Sequence, residues 1–163
     1  MEVPVPYQQA LNGLVQNASA TITIKGIAQH IKGDDHQTFT IEWRDEQEAL
    51  MAQRVPIRFT ARFQGGALVA NFILIQCREN DQTMTLLETE NGHGITKAQV
   101  FEVVFNVSQE TIEVVVNGQL LGNFRRIAQR PTTQYLGVTG DRLTLFRPEV
   151  EIWPAEGVPG HVA

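Results

Sequence analysis

The feature that most constrains this chain is the alternation of apolar and polar residues within short segments. A period of two residues fits a half-buried β-strand and does not fit a helix. Residues 37–43, QTFTIEW, place Phe39, Ile41 and Trp43 on one side of such a strand, and residues 55–63, VPIRFTARF, repeat the pattern. Residues 67–76 are apolar on both sides except at Asn71, which predicts a strand inside a sheet. Further strands are predicted over residues 19–25, 83–88, 100–107, 111–116, 120–124, 135–138, 142–146 and 150–153.

Turn-forming residues separate these segments. Asn117-Gly118 lies between two apolar runs, and this pair favours a type I′ hairpin because both central residues need a positive φ. Gly65-Gly66 indicates a second hairpin of the same kind. Only residues 44–54, RDEQEALMAQR, have a helix-forming composition, and they fit equally well a charged loop with one helical turn. Many short strands joined by turns predict an all-β antiparallel sandwich or barrel.

The length and the C-terminal composition predict how this fold is bounded. A chain of 163 residues suits one domain, which we place at residues 1–153. Residues 154–163, PAEGVPGHVA, have the proline and glycine content expected of a flexible tail.

Charge and cysteine content exclude several classes of function. The formal net charge is −5, whereas nucleic-acid binding needs clustered positive charge, so we expect no nucleic-acid partner. The single cysteine cannot form an internal disulfide or a cysteine-based zinc site. His30 and His36 have weak spacing for a metal, and we expect no metal site. No run of about 18 apolar residues is present, so we expect no membrane insertion. The N-terminus lacks the pattern of a signal peptide, which predicts a cytoplasmic protein.

An ordered series of motifs resembles the galectin family. VPY at residues 5–7 and TITIKG at residues 21–26 are similar to the first two strands of the family, and VPIRFTARF at residues 55–63 is similar to its IALHFNPRF. The motifs FTI at 39–41, FEV at 101–103, VNG at 116–118 and LGVTGD at 136–141 follow the family's order. The resemblance covers residues 3–153. It implies a two-sheet antiparallel jelly-roll sandwich in which one sheet binds β-galactosides without a cofactor.

The resemblance also implies a set of binding residues, and several of them are altered. Galectins present His, Asn and Arg at alternate positions of one strand, where this chain has Arg58, Thr60 and Arg62. Arg62 matches, but an arginine at position 58 cannot accept a hydrogen bond as the histidine does. Asn71, in the sequence VAN, matches the asparagine of the family's V-x-N motif on the next strand.

The tryptophan that stacks on galactose in galectins has no counterpart here, because the chain has none between Trp43 and Trp153. A forward count from Asn71 to the missing tryptophan and the E-x-R motif reaches Cys77, Arg78 and Glu79. A backward count from Phe101 reaches Thr85, with Glu88 and Glu90 on the family's Glu and Arg. We favour the backward count, because residues 76–82, QCRENDQ, resemble a lengthened loop. Glu88 therefore joins the predicted binding residues, and Arg78, Glu79, Thr85 and Glu90 are alternative loop contacts.

Two interpretations of these polar residues remain open. They can form a remodelled binding site, in which two arginines suit an acidic or sulfated sugar. They can equally be the solvated side of a half-exposed sheet, or have their charge neutralised by Glu88 and Glu90. The latter two acids lie two residues apart, as paired carboxylates of a glycosidase could, but solvated edges are far commoner and galectins are not enzymes.

The sequence thus predicts a galectin-like protein, not an enzyme, that binds a glycan or glycoconjugate with weak or altered β-galactoside recognition. The alternative is an interaction or self-association module whose sugar groove is vestigial. A homodimer is compatible with either. Galectins lack signal peptides and are often exported, so the resemblance also admits an extracellular location.

Overall fold

Thirteen strands and one 3₁₀ helix make up the described part of the chain. The structure is a computed structural model that describes residues 1–33 and 36–154. In chain order the elements are β1 (Glu2–Val3), β2 (Tyr7–Leu11), β3 (Ser19–Ala28), β4 (His36–Arg44), the 3₁₀ helix (Ala49–Met51), β5 (Arg54–Gln64), β6 (Phe72–Glu79), β7 (Gln82–Thr89), β8 (Val100–Val107), β9 (Thr111–Val116), β10 (Gln119–Arg125), β11 (Gln134–Gly140), β12 (Leu143–Phe146) and β13 (Glu149–Trp153). Except for Pro154, the predicted C-terminal tail lies outside the described residues.

The strands form two antiparallel sheets. A six-stranded sheet has the order β2-β11-β4-β5-β6-β7, and a seven-stranded sheet has the order β1-β12-β3-β8-β9-β10, with β13 also paired to β3. The two sheets enclose one apolar core between them. The prediction of an all-β, two-sheet antiparallel sandwich is therefore confirmed.

Alternate residues of each strand fill the space between the sheets. The largest fully buried side chains are aromatic and include Trp43, Phe39, Phe59 and Phe101. Phe39 of the six-stranded sheet stacks on Phe101 of the seven-stranded sheet, with 4.5 Å between ring centroids. Because Phe39, Trp43 and Phe59 point inward, the intervening residues of β4 and β5 must lie on the opposite side of the sheet.

The predicted turns are confirmed in part. Asn117 and Gly118 have φ angles of 49° and 78° and join β9 to β10, as the hairpin signal predicts. Gly65 and Gly66 also have positive φ angles, but β6 begins only at Phe72, so the prediction of a tight second hairpin is wrong. Residues 68–70 instead contact another loop, where the Ala70 amide donates to the Ile95 carbonyl at 2.8 Å.

Two further segments differ in extent from the sequence prediction. Residues 44–54 contain only one 3₁₀ turn, so the charged-loop interpretation is the better one. Residues 76–82, predicted as a lengthened loop, instead continue β6 to Glu79 and turn at Asn80 and Asp81 into β7. Asn80 adopts a φ of 56°, which permits this short connection.

Neither a membrane-spanning helix nor a metal-binding cluster is found within residues 1–33 and 36–154. No helix there is long and apolar enough to cross a bilayer. No group of three or more His, Cys, Asp and Glu side chains there could hold a metal ion.

Candidate functional site

The side of the six-stranded sheet that faces away from the core carries most of the predicted binding residues. We call this surface the outer face. Strand register places Arg58 opposite Glu42 on β4 and Gln76 on β6, and Thr60 opposite Thr40 and Leu74. The outer face comprises Gln8 of β2; Thr38, Thr40, Glu42 and Arg44 of β4; Arg58, Thr60 and Arg62 of β5; Phe72, Leu74, Gln76 and Arg78 of β6; Thr83, Thr85 and Glu88 of β7; and Tyr135, Gly137 and Thr139 of β11.

Arg58 belongs to a row of three charged side chains. Its Nε donates to Glu42 Oε2 at 2.7 Å, and the Nη1 of Arg44 donates to Glu42 Oε1 at 2.9 Å. The side chains of Arg44 and Glu42 are only 8% and 10% exposed, whereas that of Arg58 is 27% exposed. Two guanidinium groups therefore share one nearly buried carboxylate, and the open end of the row is Arg58.

Arg44 is fixed at the closed end of this row by three further hydrogen bonds. Its Nη2 donates to Gln8 Oε1 at 2.6 Å and to the Gln47 carbonyl at 2.8 Å, and its Nε donates to the Glu46 carbonyl at 3.0 Å. The guanidinium reaches Gln8 by crossing β11 at Gly137, where an added Cβ would overlap Arg44 Nη1. A glycine at this position is thus what gives the guanidinium its space.

Thr60 and Arg62 lie beyond Arg58 on the outer face of β5. The Oγ1 atoms of Thr60 and Thr40 are 3.3 Å apart, and Thr60 is largely buried beneath its neighbours. The guanidinium carbon of Arg62 lies 5.1 Å from the ring centroid of Phe72, a cation–π arrangement. Among residues 1–33 and 36–154, no carboxylate forms an ion pair with Arg62.

Asn71 lies beside Arg62, whose carbonyl accepts from the Asn71 backbone amide at 3.0 Å, but its side chain is bonded to Gln64. Its Oδ1 accepts from the Gln64 amide at 2.9 Å and its Nδ2 donates to the Gln64 carbonyl at 3.0 Å. The amide group thus closes the connection between β5 and β6. The polar side chain opposite Arg58 is Gln76, which the sequence analysis missed. The alternation of buried Ile73, Ile75 and Cys77 is the signal that could have found it.

The residues of β7 and its hairpin border the outer face. Thr85 lies opposite Gln76 and Glu88 opposite Leu74, after a register shift between Ile75 and Gln76. Thr85 is therefore two strands away from Arg58, with Gln76 between them. The backward count gives this residue as the counterpart of the family's tryptophan. The other loop candidates lie near the hairpin or beyond β7: Arg78 Nε donates to the Asn80 carbonyl at 3.0 Å, Glu79 ends β6, and Glu90 follows the last residue of β7.

Glu88 and Glu90 do not neutralise the arginines within the described part of the chain. Both side chains are exposed and neither forms an ion pair with Arg58 or Arg62 there. Arg58 instead forms its ion pair with Glu42 on the neighbouring strand β4. Glu42 was not among the residues predicted for the site from the sequence.

Neither of the two tryptophans lies on the outer face. Trp43 is buried in the core, where its Nε1 donates to Gln134 Oε1 at 2.8 Å. Trp153 lies opposite Ser19 in the seven-stranded sheet. Phe72 is an aromatic residue of the outer face, and Arg62 covers it.

Comparison with known proteins gives a consistent result. The profile of the galactoside-binding lectin family matches residues 6–144. No curated protein sequence matches the chain. Among solved structures, sheep galectin-11 in complex with glycerol is 17% identical with a TM-score of 0.72, and the match covers 91% of this chain and 98% of that one. A variant of human galectin-16 is 16% identical with a TM-score of 0.68, and the match covers 92% of this chain and 97% of that one. The Caenorhabditis elegans galectin LEC-6 is 14% identical with a TM-score of 0.68, covering 92% and 93% of the two chains. At these identities the structural likeness concerns the fold.

Proposed function

The chain belongs to the galactoside-binding lectin family, the galectins, and from this premise we propose that it binds glycans on the outer face with weak or altered recognition of β-galactosides. One observation supports the altered specificity above all others. The position that carries the family's hydrogen-bond-accepting histidine is Arg58, whose Nε is bonded to Glu42.

The chemistry of the outer face accounts for weak galactose binding. An arginine only donates hydrogen bonds, and Glu42 already accepts from both Arg44 and Arg58. A galactose hydroxyl that donates to histidine in the family has no equivalent acceptor at this position. The stacking tryptophan is also missing, and aromatic stacking on a base is worth about 1–3 kcal/mol, which we take as a guide for a sugar ring. Together with one hydrogen bond of about 1 kcal/mol, these losses predict an affinity for lactose lower by roughly a hundredfold.

The proposed contacts follow from position on the sheet. Arg58 and Arg62 are donors along β5, with Thr60 between them, and Gln76 supplies an amide from β6. Glu88 contributes an acceptor at the border, and Arg78, Glu79, Thr85 and Glu90 are contacts for a longer glycan. We assign Asn71 a supporting role, because its amide holds the Gln64 backbone.

A lactose–agarose column followed by a glycan array tests the proposal. We expect passage through the column with little retention, together with binding to some glycans on the array. Strong retention that lactose elutes would contradict the altered specificity. Binding to no glycan would contradict carbohydrate binding and favour the alternative of an interaction or self-association module.

Variants locate the binding surface once an array ligand is known. Arg62→Ala and Gln76→Ala should each weaken binding by about tenfold. This is the effect expected from losing one hydrogen bond between the side chain and the glycan. Arg147→Ala removes an exposed arginine outside the outer face and serves as the matched control. Unchanged affinity in both outer-face variants would move the site elsewhere on the molecule.

The proposal includes three further properties that family membership suggests. The protein acts by binding and not as an enzyme, it is located in the cytoplasm with export that needs no signal peptide, and it can form a homodimer. Assays of glycoside hydrolysis, cell fractionation with analysis of the medium, and light scattering at several concentrations test these properties separately.

A further inference from the structure

The charges around Arg58 do not cancel. Arg44 and Arg58 carry two positive charges and share the single carboxylate of Glu42. The row of three therefore has a net charge of about +1, although the chain as a whole has a net charge of −5. Arg44 is nearly buried, so the uncompensated charge is presented at Arg58, the open end of the row.

Arg58 is held in a fixed orientation. Its Nε is occupied by Glu42 at 2.7 Å, and Glu42 is in turn held by Arg44 at 2.9 Å. The two terminal nitrogens of Arg58 have no hydrogen-bond partner among residues 1–33 and 36–154. A guanidinium with two free terminal nitrogens can donate two parallel hydrogen bonds to an anion with two oxygens, such as a carboxylate or a sulfate.

The neighbours of Arg58 favour an anion attached to a sugar. Gln76, opposite Arg58 on β6, offers an amide to a ring hydroxyl, and its side chain makes no hydrogen bond within the described part of the chain. Arg62 lies four residues along β5, about 13 Å away at the usual rise per residue, which is near the length of a disaccharide. The exposed acid of the outer face, Glu88, faces Leu74 and not Arg58.

A surface ion pair alone would not support this inference, because such pairs contribute little and often have no role. The row of Arg44, Glu42 and Arg58 differs from a surface ion pair in two ways. Glu42 and Arg44 are nearly buried, and Arg44 fits only because residue 137 has no side chain. A buried group of charges with an uncompensated positive charge is costly to desolvate, and a bound anion would offset that cost.

We propose that the glycan bound on the outer face is acidic, with its sulfate ester or carboxylate held by Arg58. Glu42 and Arg44 are positioning residues that orient the guanidinium. This inference rests on the proposed function, since it names the class of glycan for the same site.

Calorimetric titration with three related ligands tests the inference. The ligands are lactose, lactose sulfated on the galactose ring, and lactose extended by an acidic sugar that bears a carboxylate. We expect at least one acidic ligand to bind ten times or more tightly than lactose, and the two acidic ligands distinguish sulfate from carboxylate. Equal affinity for all three would overturn the inference and leave the proposed function intact. Binding of none of the three would also overturn the inference, and the glycan array then decides the proposed function separately.

Substitutions at Arg58 separate the guanidinium from general charge. Arg58→Gln should remove the preference, so that the acidic ligand and lactose bind this variant with affinities within about threefold of each other. Arg58→Lys keeps the charge and loses the paired donors, so an intermediate preference is expected. Arg147→Gln removes the same charge from an exposed site outside the outer face and should leave the preference unchanged. A preference that survives Arg58→Gln, or that Arg147→Gln removes equally, would overturn the assignment.

Glu42→Gln tests the positioning role. The substitution makes the outer face more positive, so a preference based on charge alone would become stronger. We expect it to become weaker by about fivefold or more, because Arg58 is no longer held. A stronger preference would overturn the positioning role, and thermal unfolding of the variant checks that it remains folded at the titration temperature.

Discussion

Arg126 shows how one buried side chain can hold several loops together. Its Nη1 donates to the carbonyls of Ala18 and Ser108 at 2.6 and 2.9 Å, and its Nη2 donates to the Val15 carbonyl at 2.9 Å. The guanidinium carbon lies 5.2 Å from the centroid of Trp43. Burial lowers the pKa of Arg126 to about 10, so the group remains charged at neutral pH and its donors stay available.

The substitution Arg126→Met should therefore be strongly destabilising. The methionine occupies part of the volume but leaves the three carbonyls without donors, and a buried unsatisfied group costs about 1–3 kcal/mol. We expect the free energy of unfolding in urea to fall by roughly 3 kcal/mol or more. Arg125→Met, at the exposed neighbouring residue, is the matched control and should change stability by less than about 0.5 kcal/mol. Similar small effects for both variants would contradict the role of Arg126.

The burial of the Cys77 thiol can be tested through the pH dependence of the unfolding free energy. Burial raises the pKa of its thiol above the ordinary value of 9.0, with a smaller contribution from the charge of Glu79. The folded state then binds this proton more tightly than the unfolded state does, so the contribution of the thiol to stability is complete below pH 9 and is lost as the pH rises through the folded pKa.

The difference in unfolding free energy between the original protein and Cys77→Ala should therefore narrow as the pH rises above 9. Denaturation in urea at a series of pH values measures the unfolding free energy of each protein. In the difference between the two, the contributions of groups that titrate equally in both proteins cancel. Reaction of the native thiol with an aromatic disulfide reagent at pH 8 should also be slow and become fast in urea. A difference that widens with pH would show that the thiol is not buried as described.

At the scale of elements, the side chain of Arg44 on β4 crosses the neighbouring strand β11 to reach β2. Gly137 faces Glu42 in the register of these strands, and its missing side chain leaves room for Arg44 to reach Gln8 on β2. The three strands are thus linked on the outer face by a polar network in addition to their backbone hydrogen bonds. The orientation of Arg58 depends on this network through Glu42.

Gly137→Ala should disturb the network without breaking the strand. Alanine is compatible with extended backbone, so a backbone effect alone would be neutral or slightly stabilising. The overlap with Arg44 Nη1 should instead lower the free energy of unfolding by about 1–3 kcal/mol, a typical cost of overpacking, and weaken binding of an acidic glycan. Thr139→Ala, on the same side of the same strand, is the control. Higher stability in Gly137→Ala would show that Arg44 relocates freely.

The elements also show which parts of the fold a sequence can reveal. Period-two alternation predicts most strands to within a few residues, because burial of one face imposes it locally. It does not reveal that residues 67–70 lie outside the sheet, because this depends on contact with the loop at residues 91–95, where Gly92 closely approaches the Ala70 carbonyl. The pairing of Glu42 with Arg58 likewise requires the β4–β5 register and the space at Gly137, which lie on three strands far apart in the chain. Resemblance could indicate Arg58, Thr60 and Arg62 but not their partners.

At the scale of the whole molecule, net charge and local charge have different consequences. The net charge of −5 predicts solubility and exclusion of nucleic acid. It says little about the outer face, where buried Glu42 is shared by two arginines. Interactions between exposed charges fade within about 10 Å at ordinary salt, so the row around Arg58 attracts an anion almost independently of acids on distant surfaces.

The two sheets share one core, and this should make them unfold together. Phe39 and Phe101 stack across the interface between the sheets, and Trp43 is buried there whereas Trp153 is 39% exposed on β13. We expect fluorescence of Trp43, measured in the variant Trp153→Phe, and far-ultraviolet circular dichroism to give the same midpoint in urea, since a shared core is lost in one cooperative step. Two midpoints would mean that one sheet persists without the other. In that case the outer face could remain intact while the seven-stranded sheet unfolds, and glycan binding would follow the later transition. Coincident midpoints would instead make the binding site, the core and residues 1–153 one cooperative unit.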